Sequence, residues 1–201
     1  MRLLIMGLPG AGKGTQAKVV AERLGIPAVS TGDILRDNVS RRTELGQTAK
    51  KYMDAGDYVP DDVVNEMVAD RLGQPDAEPG FLLDGYPRTL EQVRKLDEIL
   101  AVSGRSIDGV IELTGVDADE VAERLHKRAV TEGRADDSPE VIRRRLEVFS
   151  AQTQPLLQVY DQRGLLRRVN GLGAVEEVTE RVLAVLAALQ PRPAEGSQVR
   201  S

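Results

Sequence analysis

The chain has 201 residues, of which 41% are hydrophobic, with a formal net charge of -5, an isoelectric point near 5.1 and no cysteine. This acidic balance excludes a surface built for nucleic acid, and the lack of cysteine excludes a disulfide framework or a thiolate zinc site. No apolar run approaches the ~20 residues of a membrane span, and the single histidine, His126, cannot form a metal site alone. We therefore expect one cytoplasmic domain whose arginines act locally.

The first predicted element is a strand over residues 3–6, followed by the glycine-rich loop GLPGAGKGTQ at residues 7–16 and a helical pattern. The spacing Gly-x-x-x-x-Gly-Lys is typical of a P-loop, whose backbone N–H groups and helix end attract phosphate. Lys13 would supply a mobile charge for the outer phosphates. Gly14 follows it directly, so we expect Thr15 to provide the hydroxyl that often stands there. The alternative is a turn that only joins strand to helix.

A short strand at residues 27–30 leads into a helix for which Thr31 or Asp33 is the expected cap. Arg36 then lies near the first turn, where the positive helix end already attracts anions. A solvated arginine is the alternative.

Helical patterns also cover residues 44–55 and 60–72, whereas no convincing strand lies between residues 30 and 59. The surrounding chain alternates between strands and helices. We therefore interpret residues 30–59 as a helical insertion in an α/β domain.

The next strand, residues 81–84, has a buried character and ends in the carboxylate of Asp84. Because ligands of such sheets lie beyond the C-terminal ends of the strands, Asp84 should face the site. A turn at residues 85–88 follows, and Thr89-Leu90-Glu91-Gln92 has the spacing of a capping box. For Gln92, helix capping is the alternative to a role in binding.

The second half of the chain continues the alternation. Its predicted elements are strands over 107–113 and 165–169, helices starting at 117, 138 and 175, and a kink or break at 155. Arg124 and Arg128 share one helix face, with a solvated pair as the alternative, and residues 191–201 have a disordered composition. Five strands alternating with helices predict an α/β fold with a doubly wound parallel sheet covered on both faces.

Four segments in order resemble the signature of the adenylate kinases, which are P-loop nucleoside monophosphate kinases. They are residues 7–16, 31–36, 81–89 and 133–137. The resemblance runs from Met1 to about Leu189 and implies one P-loop domain over 1–190, with a helical NMP-binding insertion over 30–59. Only residues 129–133 separate Arg128 from Arg134, which implies a short lid loop over 126–137 that carries no zinc.

The resemblance implies a Mg²⁺-dependent, reversible transfer of the terminal phosphoryl group of ATP to AMP, giving two ADP. It implies that ATP is held by Gly10, Ala11, Gly12, Lys13, Gly14, Thr15, Arg128 and Gly173. It implies that AMP is held by Thr31, Arg36, Asp57, Tyr58, Val59, Gly85, Tyr86, Pro87, Arg88, Gln92, Arg134 and Arg145. The implied catalytic residues are Lys13, Arg88, Arg124, Arg128, Arg134 and Arg145, and magnesium would be held through water by Asp84 and Asp33.

The chemistry agrees with this resemblance. A phosphate monoester with a second pKa of about 6 is mostly ionised at pH 7, so an AMP-like acceptor needs no general base. The nearest alternative is a UMP/CMP kinase, in which alanine typically replaces Thr31 and an asparagine lies near Gln92. A GTPase-like switch would need an Asn-Lys-x-Asp segment, and an inactive nucleotide-binding module would have lost its arginines. We expect a cytoplasmic monomer that binds ATP, AMP and ADP, and neither nucleic acid nor a membrane.

Overall fold

A parallel sheet of five strands forms the centre of the protein, as the alternating sequence pattern predicts. The computed structural model describes residues 1–115, 121, 124–125 and 138–189. The strand order is β2-β3-β1-β4-β5. The strands are β1 (Arg2–Met6), β2 (Ala28–Ser30), β3 (Phe81–Asp84), β4 (Gly109–Thr114) and β5 (Leu166–Asn170).

Helices cover both faces of this sheet. In the described part of the chain they are α1 (Lys13–Leu24), α2 (Thr31–Ser40), α3 (Glu44–Ala55), α4 (Asp61–Leu72), α5 (Leu90–Ala101), α6 (Pro139–Val148), α7 (Gln154–Gln162) and α8 (Val175–Ala187). A short 3₁₀ turn, Pro75–Ala77, precedes β3. None of the described helices is long and apolar enough to cross a lipid bilayer.

The core has two layers because successive side chains of a strand point to opposite faces. On one face, Leu4 and Met6 of β1 pack with apolar residues of α4, α5 and α7. On the other face, Leu3 and Ile5 pack with apolar residues of α1 and α8. Both faces of β1 are therefore buried, which explains its continuous apolar sequence.

The strand order explains where a ligand can bind. The connection after β1 leads to β2 at one edge of the sheet, whereas the connection after the neighbouring β3 crosses β1 to reach β4. A crevice opens beyond the carboxyl ends of two adjacent strands whose connections diverge in this way. The glycine-rich loop follows β1, and the turn at residues 85–88 follows β3, so both lie at this crevice.

One local prediction is wrong, and the structure gives the detail of another. Ser30, rather than Thr31 or Asp33, caps α2, since its hydroxyl accepts the Asp33 N–H at 3.3 Å. Where a kink or break is predicted at Pro155, a π-helical stretch, Phe149–Thr153, joins α6 to α7, with Pro155 in the first turn of α7. The predicted lid at 126–137, the tail at 191–201 and most of the helix expected from residue 117 lie outside the described residues.

Candidate functional site

The glycine-rich loop closes tightly over the start of α1. Gly12 caps this helix in a left-handed conformation, with φ of 88°, which a residue with a side chain adopts only at a cost. The ammonium group of Lys13 donates to the carbonyl oxygens of Gly7 at 2.9 Å and Leu8 at 2.7 Å. These bonds hold its charge against the loop, where N–H groups at the helix start also favour an anion.

The carboxylate that ends β3 lies directly beside this loop. A methyl group built on Gly14 would be 3.4 Å from Oδ2 of Asp84, so the absence of a side chain at Gly14 leaves room around that oxygen. Asp33 has a different neighbourhood, because its Oδ1 accepts from the guanidinium of Arg36 at 2.6 Å. The described residues contain no group of three or more acidic or histidine side chains that could hold a metal ion. A divalent cation held by the described residues would therefore draw most of its ligands from phosphate and water.

One central cavity of about 460 Å³ brings most of the predicted site residues together. This volume falls in the range of small-molecule sites. Its lining includes the following predicted residues: Gly10, Gly12, Lys13, Gly14, Thr15, Thr31, Asp33, Arg36, Asp57, Tyr58, Val59, Asp84, Gly85, Tyr86, Pro87, Arg88, Gln92, Arg124 and Arg145. Arg128 and Arg134 lie outside the described residues.

Two predicted ATP residues do not line the central cavity. Ala11 is buried beneath the glycine-rich loop. Gly173 is exposed in the turn between β5 and α8. Gln16 links that turn to the loop, because its Nε2 donates to the carbonyl of Val175 at 2.9 Å and its Oε1 accepts from Thr179 at 2.9 Å. Gly173 therefore lies in the turn that leads into α8, the helix that Gln16 of α1 contacts, and it does not line the cavity.

Two contacts constrain the side chain of Arg88 in the central cavity. Its Nε donates to the carbonyl of Gly85 at 2.7 Å, and its guanidinium lies over the ring of Tyr58, 4.9 Å from the centroid. Burial lowers the pKa of Arg88, whereas Tyr58 and Asp84 raise it. Because an arginine starts from a pKa above 12, the side chain stays charged at neutral pH. The ring contact and the carbonyl fix its direction.

Gly85 is the point on which two cavity residues converge. Its φ is +81°, and a methyl group there would lie 2.8 Å from Oγ1 of Thr31 and 2.9 Å from Nη2 of Arg88. Thr31 donates its hydroxyl to the Gly85 carbonyl at 2.9 Å. Thr31 is itself the first residue of α2, so the preceding residue, Ser30, stands at the capping position. The turn thus requires glycine both for its conformation and for the close approach of these side chains.

Only one of the two hydrogen bonds of the predicted capping box forms at the start of α5. Thr89 caps the helix, since its hydroxyl accepts the Gln92 N–H at 3.2 Å. The Gln92 side chain bonds elsewhere: its Oε1 accepts the Arg88 N–H at 2.7 Å, and its Nε2 donates to Oδ1 of Asp61 at 2.6 Å. The reciprocal bond of a capping box is replaced by a contact with the start of α4.

The sequence patterns missed Thr153, which lies in the π-helical stretch and lines the cavity. Its hydroxyl donates to the Arg88 carbonyl at 3.0 Å, so it accepts the hydroxyl of Tyr58 at 2.7 Å. Thr153 therefore holds both the backbone of Arg88 and the ring beneath its guanidinium. The only sequence signal nearby is Pro155, and π-turns inside helices often occur at functional sites.

A second contact joins the same parts of the chain. Asp57 accepts from Nε of Arg144 at 2.7 Å, next to the cavity residue Arg145. Hydrogen bonding to Asp57 raises the pKa of Arg144. Both side chains are partly exposed, so the pair contributes little stability. It does place the end of α3 against α6.

Comparison with known proteins gives the family. The family model described as Adenylate kinase matches residues 5–165. The chain is 57% identical to the adenylate kinase of a Nocardioides species over 186 residues, which is 92% of this chain and 97% of that protein. It is 57% identical to the adenylate kinase of Clavibacter michiganensis over 192 residues, 96% of each chain. It is 54% identical to that of Micrococcus luteus over 196 residues, 98% of this chain and 94% of that protein.

Proposed function

The chain belongs to the adenylate kinase family, and we propose that its central cavity is where the terminal phosphoryl group of ATP passes to AMP. The enzyme is an ATP:AMP phosphotransferase, and its products are two molecules of ADP. The observation that carries the assignment of the cavity is that the P-loop and the residues after β3 open into the same space. A phosphoryl donor and an acceptor can meet there.

We assign the donor to the glycine-rich loop. Residues 10–15 would hold the phosphates of ATP through backbone N–H groups and the ammonium of Lys13. Gly173, with Arg128 outside the described residues, would complete the ATP site on the strength of the resemblance. The contacts of Gln16 support a fixed distance between the P-loop and the turn that carries Gly173.

We assign the acceptor to the opposite wall of the cavity. Arg36 and Arg88 would hold the phosphate of AMP, and the amide of Gln92 would face its base. The remaining AMP contacts would come from Thr31, Asp57, Tyr58, Val59, Gly85, Tyr86, Pro87, Arg134 and Arg145. The bonds of Gly85 with Thr31 and Arg88 support this assignment, because they orient two of these side chains before a nucleotide binds.

The reaction requires alignment and charge neutralisation more than proton transfer. The AMP phosphate is already mostly ionised at neutral pH, so it needs no base to attack. Lys13, Arg88, Arg124 and Arg145 line one cavity and would stabilise the charge on the transferring group. Arg128 and Arg134 would join them. Closure of residues 30–59 over AMP would exclude water, which is a competing acceptor.

Adenylate kinases use ATP with magnesium, and the site suits that ion. We propose that Asp84 holds it through water, since its carboxylate lies beside the loop at Gly14. Asp33 suits this role less well, because Arg36 already occupies one of its oxygens. When bound, magnesium neutralises phosphate charge and orients the donor.

We also propose that the enzyme works as a cytoplasmic monomer. A cytoplasmic location and a monomeric state are typical of the adenylate kinases, the family to which the chain belongs. Light scattering on the active enzyme should give a mass near 21.9 kDa. A stable dimer would contradict the monomer.

The decisive test is the formation of ADP from ATP with AMP, CMP, UMP and GMP compared as acceptors. We expect AMP to be preferred, because unpaired polar groups in a buried base pocket penalise the wrong base. Equal rates with UMP would favour a UMP/CMP kinase.

A further inference from the structure

The carboxylate of Asp61, a residue outside the predicted site, binds the side-chain amide of Gln92, which lines the cavity. Asp61 is the first residue of α4, and its carboxylate reaches the start of α5. Oδ1 accepts from Nε2 of Gln92 at 2.6 Å, and Oδ2 accepts from the hydroxyl of Thr89 at 2.7 Å. Gln92 is only 1% exposed, whereas Asp61 and Thr89 are partly exposed, so the amide is the buried member of this group.

The partners of Gln92 leave its amide one possible orientation. An ionised carboxylate can only accept a hydrogen bond, whereas a backbone N–H can only donate one. Asp61 must therefore face the NH₂ group of Gln92, and the Arg88 N–H must face its oxygen, at 2.6 and 2.7 Å. A flipped amide would place donor against donor and acceptor against acceptor.

A fixed amide distinguishes between purines. Adenine offers an acceptor at N1 beside a donor at its 6-amino group, and guanine offers a donor at N1 beside an acceptor at its 6-oxygen. The amide of Gln92 has one further N–H and one further lone pair to offer the base. When the sugar-phosphate is held in place, this fixed donor and acceptor can match either adenine or guanine, but not both. A freely flipping amide would match both.

We propose that Asp61 is a specificity-determining positioning residue, which locks the amide of Gln92 in the orientation that accepts the base of AMP and rejects that of GMP. The inference rests on the proposed function, in which Gln92 faces the AMP base. Asp61 touches neither reacting phosphate in this scheme. It acts through Gln92, so its loss should affect acceptor selection and leave the ATP site intact.

The test is steady-state kinetics with AMP and with GMP at saturating ATP. Asp61→Ala should lower kcat/KM for AMP by about tenfold or more, the size expected when a buried donor loses its partner. The ratio of kcat/KM for AMP over GMP should fall by a similar factor, while the KM for ATP stays within about twofold. Asp61→Glu keeps a carboxylate that can only accept a hydrogen bond, so it should retain most of the ratio.

Thr89→Val is the matched control. It removes the other hydrogen bond of Asp61 and the cap of α5, so it should lower the melting temperature while leaving the AMP to GMP ratio unchanged. If Asp61→Ala does not fold, Asp61→Ser provides the same test, because a hydroxyl can donate or accept and does not fix the amide.

The variant Gln92→Ala distinguishes a failure of this inference from a failure of the proposed AMP site. If Gln92→Ala lowers the AMP to GMP ratio and Asp61→Ala does not, Asp61 is only structural and the inference is wrong, while the proposed AMP site stands. If neither variant changes the ratio, Gln92 does not read the base, and both the inference and this part of the proposed function fail.

Discussion

Replacing Gly85 with alanine perturbs the turn after β3 in two separable ways. The first is a backbone cost, because φ of +81° lies in the left-handed region, where a residue with a side chain is strained by roughly 1–2 kcal/mol. For a chain of this size, each kcal/mol lowers the melting temperature by about 2–4 °C. We therefore expect a decrease of about 2–8 °C from the backbone alone.

The second effect is local to the AMP side of the cavity. The new methyl group would lie 2.8 Å from Thr31 Oγ1 and 2.9 Å from Arg88 Nη2, so both side chains must move. A hydrogen bond to a charged group contributes about 1.5–3 kcal/mol, which corresponds to roughly 10- to 150-fold in an equilibrium constant. We expect kcat/KM for AMP to fall by about 10- to 100-fold, with little change in the KM for ATP.

Gly164→Ala is the control for the backbone effect. Gly164 has φ of +69°, and a methyl group there would meet no atom within 4 Å. Thermal unfolding should show a loss in both variants, at least as large in Gly85→Ala, whereas initial rates at varied AMP should change only in Gly85→Ala. If Gly85→Ala lowers the melting temperature as the control does but keeps the wild-type kcat/KM for AMP, the assignment of this turn to the acceptor is refuted.

Three further predictions concern the cations of the site and metal dependence. Lys13→Ala and Arg88→Ala should each lower kcat/KM by about 10²-fold or more, because each removes a preorganised charge that faces phosphate; near-normal kinetics in either would contradict the assignment. Arg145→Ala should lower kcat by roughly 10² to 10³, while the dissociation constant of ATP, measured by calorimetry, changes only a few-fold. A large loss of ATP affinity with an unchanged kcat would mean that Arg145 binds ATP in the ground state and does not act on the transition state. A selective zinc chelator should leave the melting temperature unchanged, and a clear fall would reveal a structural metal site.

Local sequence patterns were sufficient for the sheet and for the loop after β1. The apolar run before GLPGAGKGTQ gives a strand because both faces of β1 are buried, and the helix over residues 44–55 begins and ends where its pattern does. The position of Asp84 followed from a general rule about strand ends. These features depend on residues close together in the chain.

The cap of α2 shows where local reasoning fails. Ser30, Thr31 and Asp33 are all suitable capping residues, and neighbouring sequence alone does not choose between them. In the structure the helix begins at Thr31, so Ser30 stands at the capping position and its hydroxyl accepts the Asp33 N–H. The hydroxyl of Thr31 instead donates to the Gly85 carbonyl, 54 residues away in the chain.

The sequence patterns missed Thr153 and Asp61 because both residues act on side chains or backbone far away in the chain. Thr153 acts on the Arg88 carbonyl across 65 residues, and Asp61 acts on Gln92 across 31 residues. A threonine before a proline and an aspartate at a helix start both have ordinary local explanations. Their importance depends on side chains that only the folded sheet brings near.

Contacts from several segments hold Arg88, a partly buried cation of the cavity, in one orientation. Arg88 is held by the carbonyl of Gly85, by the ring of Tyr58 and, through its own carbonyl, by Thr153. Burial lowers the pKa of Arg88, and the same burial would make a lysine neutral. A guanidinium stays charged because its ordinary pKa is much higher than that of an ammonium group. The cation is also oriented before the nucleotide arrives, so the reorganisation that water would require is avoided. The three holding residues come from distant parts of the chain, and movement of any one of them would displace the charge. The wall of the cavity that we assign to AMP therefore depends on the segments around Tyr58, Gly85 and Thr153 together, although its sequence motif spans only the turn after β3.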